Sequence, residues 1–178
     1  MSGYSEKTAP DTVQAQRTLP GPIERVWAYL TESDKRRTWL AGGDMDLREG
    51  GQVQLEFQNH DLSKTRVKVP EKYEKYDKGA HYTGKIIRCE PPRLLSFTWI
   101  EESGNATEVT FELSEQGEKV LLVVTHRRLP NRDAIIGVAS GWHTHLDILV
   151  ERLNGREPEP FWSTHERLEA EYEKRIPE

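Results

Sequence analysis

One apolar stripe constrains this chain more than any other feature in it. Between about Asp133 and Asn154, Ile135, Ala139, Trp142, Leu146, Leu149 and Leu153 advance by 4, 3, 4, 3 and 4 residues. That spacing follows the 3.6-residue period of a helix and predicts a continuous apolar face over about five turns. A stripe of that length has to be covered, and the residues before it supply a sheet to cover it. Thr12, Gln14, Gln16 and Thr18 alternate with Val13, Ala15, Arg17 and Leu19. Gln52, Gln54, Glu56 and Gln58 alternate with Val53, Leu55 and Phe57. Leu95, Phe97 and Trp99 form a further apolar row, and Val109, Phe111 and Leu113 oppose Glu108, Thr110, Glu112 and Ser114. Val120, Leu122 and Val124 repeat the pattern up to His126. Alternation of period two marks half-buried strands. The turns Leu47–Gln52, Glu90-Pro91-Pro92-Arg93 and Gln116-Gly117-Glu118 join them as antiparallel neighbours, because hairpins cannot connect parallel strands. The segment Tyr82–Cys89 reads as a strand with mixed faces.

Helices fill the remaining stretches. Pro20-Gly21-Pro22 ends the first strand, and Ile23, Val26, Trp27 and Leu30 then form the stripe of a short helix. Ser33 reads as the cap of a second helix that delivers Trp39 and Leu40 inward. Asn154-Gly155 stops the long helix, Pro158 and Pro160 punctuate, and Ser163 with Glu166 suggests a capping box for a tail helix bearing Leu168 and Tyr172. Residues 60–80 mix lysines with acidic residues around Tyr73 and Tyr76 and read as a solvated excursion. The expected order is β-α-α-β(5-6)-α plus a tail helix, an α+β fold. The expected organisation is a disordered N-terminal tail over 1–11, one domain over 12–155 with 60–80 inserted, and a tail helix over 156–178.

Charge and composition bound the function. The 178 residues suit one domain. A net charge of −5 argues against a nucleic-acid partner, and no apolar run approaches the roughly 18 residues of a membrane span. The start MSGYSEKTAP is polar, and Cys89 is the only cysteine, so a cytoplasmic protein is expected.

Several segments carry a resemblance. They are Pro22-Ile23-Glu24-Arg25-Val26-Trp27, Leu47-Arg48-Glu49-Gly50-Gly51, Gly84 to Arg88 followed by Cys89-Glu90-Pro91-Pro92-Arg93-Leu94-Leu95, Phe97-Thr98-Trp99, and Gly141-Trp142-His143-Thr144-His145-Leu146. In this order they resemble the SRPBCC (START-like) superfamily, and within it the group named after the C-terminal domain of the activator of heat-shock protein 90 ATPase. The resemblance implies a helix-grip fold, in which a curved antiparallel sheet wraps around the long helix and leaves an apolar cavity between them. Relative to the group's minimal fold, the 60–80 excursion and the helix after Gly155 are additions. Only about ten polar residues precede the first strand, which weighs against direct chaperone activation.

The residues suggest three functions, in this order. The first is a binding module that holds a hydrophobic small molecule among Trp39, Leu55, Phe57, Phe97, Trp99, Phe111, Trp142 and Leu146. The second is an enzyme of the cyclase or hydratase kind, with His126, inward by parity, and Tyr82 as acid/base candidates. The third is a chaperone contact through the basic excursion. Neither a cofactor nor a metal is expected. His143 and Asp147, at i and i+4, read as a hydrogen-bonded pair, because a zinc site usually takes at least three protein ligands. Cys89 reads as an inert strand residue. Gly137 and Gly141, one turn apart within the helix, read as points of close helix–sheet contact.

Overall fold

The alternating segments pair as their turns require. The computed structural model describes residues 3–101 and 103–178. It contains β1 (Glu6–Ala9), β2 (Thr12–Pro20), β3 (Gln52–Phe57), β4 (Ala80–Glu90), β5 (Leu94–Ile100), β6 (Ala106–Gln116) and β7 (Lys119–Arg127). They form one sheet in the order β1-β2-β7-β6-β5-β4-β3, antiparallel throughout. Helices α1 (Ile23–Thr31) and α2 (Ser33–Arg36) lie between β2 and β3 in the chain, and α3 (Arg132–Leu153) and α4 (Phe161–Arg175) follow the sheet. The fold is α+β and helix-grip-like, a seven-stranded antiparallel sheet packed against the C-terminal helices.

The face expected to be apolar is the buried one. Val53, Leu55, Phe97, Val109, Phe111, Leu122 and Val124 are all within 1% of complete burial. The mixed faces of β4 have a local cause, since its register against β5 shifts between Ile86 and Arg88 and the period of two breaks there. Gly84 on this strand lies so close to β5 that a Cβ would sit 1.7 Å from the Thr98 carbonyl oxygen. Gly84→Ala is therefore expected to cost about 1–3 kcal/mol by forcing the strands apart. An unchanged urea midpoint would show that the strands part freely.

Helix α3 is capped by Asn131, whose Oδ1 accepts the Ala134 N–H at 2.9 Å. It is buried on more than its striped side. Ile136, Ser140, His143 and Thr144 are enclosed as well, and Leu168 and Tyr172 of α4 share an apolar cluster with Ile135, Ile136 and Ala139. Arg17, the charged member of the inward row of β2, reaches Asp147 of α3 at 2.9 Å.

Four expectations change. The segment before β2 is not a free tail. Residues 6–9 pair with β2, the Ser5 hydroxyl donates to the Ala139 carbonyl at 2.8 Å, and the Ser5 N–H donates to the Tyr172 hydroxyl at 2.5 Å. Residues 1 and 2 lie outside the described residues. Nor is 60–80 a solvated excursion along its length. Leu62 and Val69 are buried in the core, and Tyr73 stacks on Trp162 at 5.5 Å and donates its hydroxyl to Glu169. These anchors fall at irregular spacing in and between two short 3-10 turns, Asn59–Leu62 and Glu71–Tyr76, so no period announced them. Ser33 does not cap α2; its hydroxyl accepts the Gly43 N–H, tying down the loop that follows. The capping box at Ser163 is likewise absent, because α4 begins at Phe161 behind Pro160.

Candidate functional site

A cavity of about 290 Å3 lies between the sheet, α3 and α4. The sheet contributes Phe57, Tyr82, Trp99 and His126 to its wall, and α3 contributes Gly137, Gly141, Trp142 and His145. Phe161, Trp162 and His165 of α4 line it as well, together with Asn59, Tyr73, Tyr76, Glu101 and Asn105 among others. The rings interlock. Phe57, Tyr82 and Trp99 sit 5.5–5.6 Å apart by centroid, and Trp142 meets Trp99 edge-on at 6.1 Å.

Of the residues expected to hold a ligand, Phe57, Trp99 and Trp142 reach this space, together with the acid/base candidates His126 and Tyr82. Leu55, Phe97, Phe111 and Leu146 do not; they are fully enclosed core. Parity identifies the face a side chain is on and says nothing about whether another side chain covers it. Trp39, also expected to hold the ligand, is core as well. It is fully buried, its indole N–H donates to the Tyr29 carbonyl at 2.8 Å, and its own carbonyl accepts from His145 Nδ1 at 2.8 Å.

The glycine expectation reverses as well. A Cβ at Gly137 or Gly141 would meet no atom within 4 Å, so neither glycine serves close helix–sheet contact. Both instead border the cavity. Glycine within a helix costs about 1 kcal/mol relative to alanine. Here that cost has no packing reason, and what the two glycines provide is open volume.

His126 is locked by its partners. Its Nδ1 accepts the Trp142 indole N–H at 3.0 Å, so that nitrogen carries no proton. Its Nε2–H therefore donates to Thr107 Oγ1 at 2.7 Å, and the Thr107 hydroxyl is left to donate to the Trp99 carbonyl at 3.4 Å. Burial pushes its pKa down to about 3. With both nitrogens engaged, His126 has no free lone pair with which to accept a substrate proton, and its place is structural. His145 is also held neutral, its pKa lowered by burial to about 4 against the opposing effect of the Trp39 carbonyl. His165 is lowered by burial to about 4.

The expected His143–Asp147 contact is present at 3.4 Å, and Asp147 also receives Arg17. Burial works to raise the Asp147 pKa, but the hydrogen bond from His143 and the nearby Arg17 outweigh it and hold the carboxyl below its usual value. Cys89 is half-buried and its thiol is pushed up by burial, as suits a packing residue. Among the described residues no group of three His, Cys, Asp or Glu side chains is placed to hold a metal ion, and no helix is long and apolar enough to cross a membrane.

Sequence reasoning missed the α4 side of the cavity. Phe161, Trp162, His165, Asn59 and Tyr73 were not singled out as site residues. The available signal was the aromatic doublet with a histidine one helical turn on, which places Phe161 and His165 together on α4.

A helix that leaves aromatic-lined space beneath an antiparallel sheet defines a helix-grip cavity protein. The chain belongs to the AHSA1 family, whose model, described as Activator of Hsp90 ATPase homolog 1-like protein, matches residues 20–154. No curated protein matches it. Among solved structures it is similar to the protein encoded by gene BPP1335 from Bordetella parapertussis, at 44% identity and a TM-score of 0.81, over 99% of this chain and 92% of that one. It also matches CalU16 from Micromonospora echinospora at 24% identity and a TM-score of 0.68, over 93% of this chain and 87% of that one. Protein MLL2253 from Mesorhizobium loti matches at 22% identity and a TM-score of 0.63, over 81% of this chain and 96% of that one. The last two likenesses concern the fold alone.

Proposed function

We propose that this protein binds a hydrophobic small molecule in the cavity between the sheet and α3, and does so in the cytoplasm, where a lone thiol such as Cys89 stays reduced. The observation that carries the reading is the pair Gly137 and Gly141, helix-weakening residues whose missing side chains leave room inside an aromatic wall. Ligand sites are usually mostly apolar, with a few placed polar groups. A cyclase or hydratase reading loses its histidine, because His126 is satisfied on both nitrogens. A chaperone contact has less support, since the basic excursion named for it places Tyr73 against α4.

Gly141→Leu tests the reading. Leucine improves helix propensity by about 1 kcal/mol and fills the space, so melting should rise by about 2–4 °C. The affinity for N-phenyl-1-naphthylamine, read by its fluorescence, should fall at least tenfold. A variant that melts higher and still binds the dye as tightly would remove the cavity as the site.

A further inference from the structure

The inward rows of the sheet end in polar side chains. On β5 the row Leu95, Phe97, Trp99 continues two residues further to Glu101, and on β6 the row Phe111, Val109, Thr107 continues to Asn105. Pairing carries on past the strand ends, since the Glu101 N–H donates to the Asn105 carbonyl at 3.0 Å. Thr83 stands opposite Ile100, and Ile100 opposite Ala106, so the next register positions set Tyr82, Glu101 and Asn105 side by side. Opposed positions on neighbouring strands hold their Cβ atoms about 5 Å apart. All three residues line the cavity. Tyr82 and Glu101 also line an outer groove of about 350 Å3, and Glu101 is exposed, so this row stands where the cavity opens to solvent.

Charge selects what this mouth can take. Among the described residues lining the cavity, Glu101 is the one Asp, Glu, Lys or Arg. Among the described residues no Lys or Arg pairs with its carboxylate. Lys75, in the outer groove, holds its ammonium over the Tyr76 ring at 4.9 Å and is not part of the cavity wall. The three histidines of the wall stay neutral, because burial lowers His126 to about 3 and His145 and His165 to about 4. A ligand carboxylate or phosphate would leave water without gaining a cation and would meet the Glu101 charge. An ammonium ion meets the opposite charge at Glu101, the Asn105 side-chain oxygen as a second acceptor, and the electron-rich rings of Tyr82 and Trp99, 5.5 Å apart by centroid. Resting on the small-molecule reading above, we infer that the natural ligand is a hydrophobic amine bound as its ammonium ion, with its apolar body among the aromatic rings and its cationic end at the row formed by Tyr82, Glu101 and Asn105.

The test uses three probes that share a ring system and differ in the end group: 2-naphthylmethylamine, 2-ethylnaphthalene and 2-naphthylacetate. Each competes with N-phenyl-1-naphthylamine for the full chain at pH 7. The amine should bind at least about fivefold more tightly than the uncharged 2-ethylnaphthalene, and the acetate more weakly than either. Glu101→Gln keeps the shape of an exposed side chain, so the variant should melt within about 2 °C of wild type. It should erase the amine's advantage and leave the Kd of 2-ethylnaphthalene unchanged. A variant that keeps the amine preference, or an acetate that binds as tightly as the amine, would overturn the assignment while the cavity reading stands. Equal displacement by 2-ethylnaphthalene and the amine in the wild type would overturn it in the same way. Failure of the dye to bind, or of all three probes to displace it, would overturn the cavity reading as well.

Discussion

Taking the protein from pH 7 to pH 5 should remove about 6 kcal/mol of stability, enough to bring a fold of ordinary strength to the edge of unfolding. Three buried histidines cause this. His126 is held down to about 3, and His145 and His165 to about 4, in each case chiefly by burial. In the unfolded chain each titrates near 6.5. Below that pH the unfolded state binds protons that the folded state refuses, so stability is fully present above about 6.5 and drains away as the pH falls towards 4. At pH 5 each histidine accounts for about 2 kcal/mol, and the slope for three is about 4 kcal/mol per pH unit. The partners show why the native state resists protonation. A proton on His126 Nδ1 would confront the Trp142 N–H, and among the described residues the charge that favours protonating one of these rings is Glu169, acting on His165. Urea titrations at half-unit intervals from pH 7 to 4.5 measure the slope directly. A flat profile to pH 5 would show that the buried rings accept protons in the folded state.

The second large effect is expected at Arg36, a residue that does not line the cavity. It is completely buried, and among the described residues no carboxylate bonds to it, although the nearby Asp44 favours its charge. Its guanidinium donates instead to four carbonyls: Leu30 and Thr31 at the end of α1, Ala41 at 3.0 Å, and Gly43. The last carbonyls of a helix lack intrahelical partners and form the negative end of its dipole, which explains how a desolvated cation is tolerated there. Burial lowers its pKa only to about 10, so it remains charged at neutral pH. Arg36→Met keeps most of the volume and removes every donor, leaving four buried carbonyls unpaired. A loss of about 3–5 kcal/mol in urea is expected. Arg36→Lys should recover little, because a single ammonium cannot reach four acceptors arranged for a planar fork. A methionine variant within about 1 kcal/mol of wild type would mean that water or a shifted loop satisfies those carbonyls.

Arg36 also shows where the sequence stops being informative. It stands in the run Lys35-Arg36-Arg37, where nothing in the sequence distinguishes it from its two basic neighbours. Its role exists only because the chain returns through Ala41 and Gly43 to place their carbonyls against it. Trp39 is a milder case. Its inward direction was legible from the sequence, but its depth was not, since depth depends on Tyr29 and His145 closing over it. The glycines of α3 are the sharpest example, because a glycine looks the same in sequence whether a neighbouring backbone presses on it or a cavity opens beside it. At Gly84 the first holds, and at Gly137 and Gly141 the second.

The sequence by itself determined six of the seven strands, their antiparallel hairpins, the long helix and the apolar face of most of these elements. Period and turn chemistry are properties of the local backbone and are written residue by residue. Tertiary structure alone decided which inward side chains border open space, which histidines find partners, and which polar atoms are left without one. Those outcomes depend on what α4, the first strand and the 59–76 segment bring over the sheet from distant parts of the chain, and no local pattern encodes the separation between two elements once they are packed.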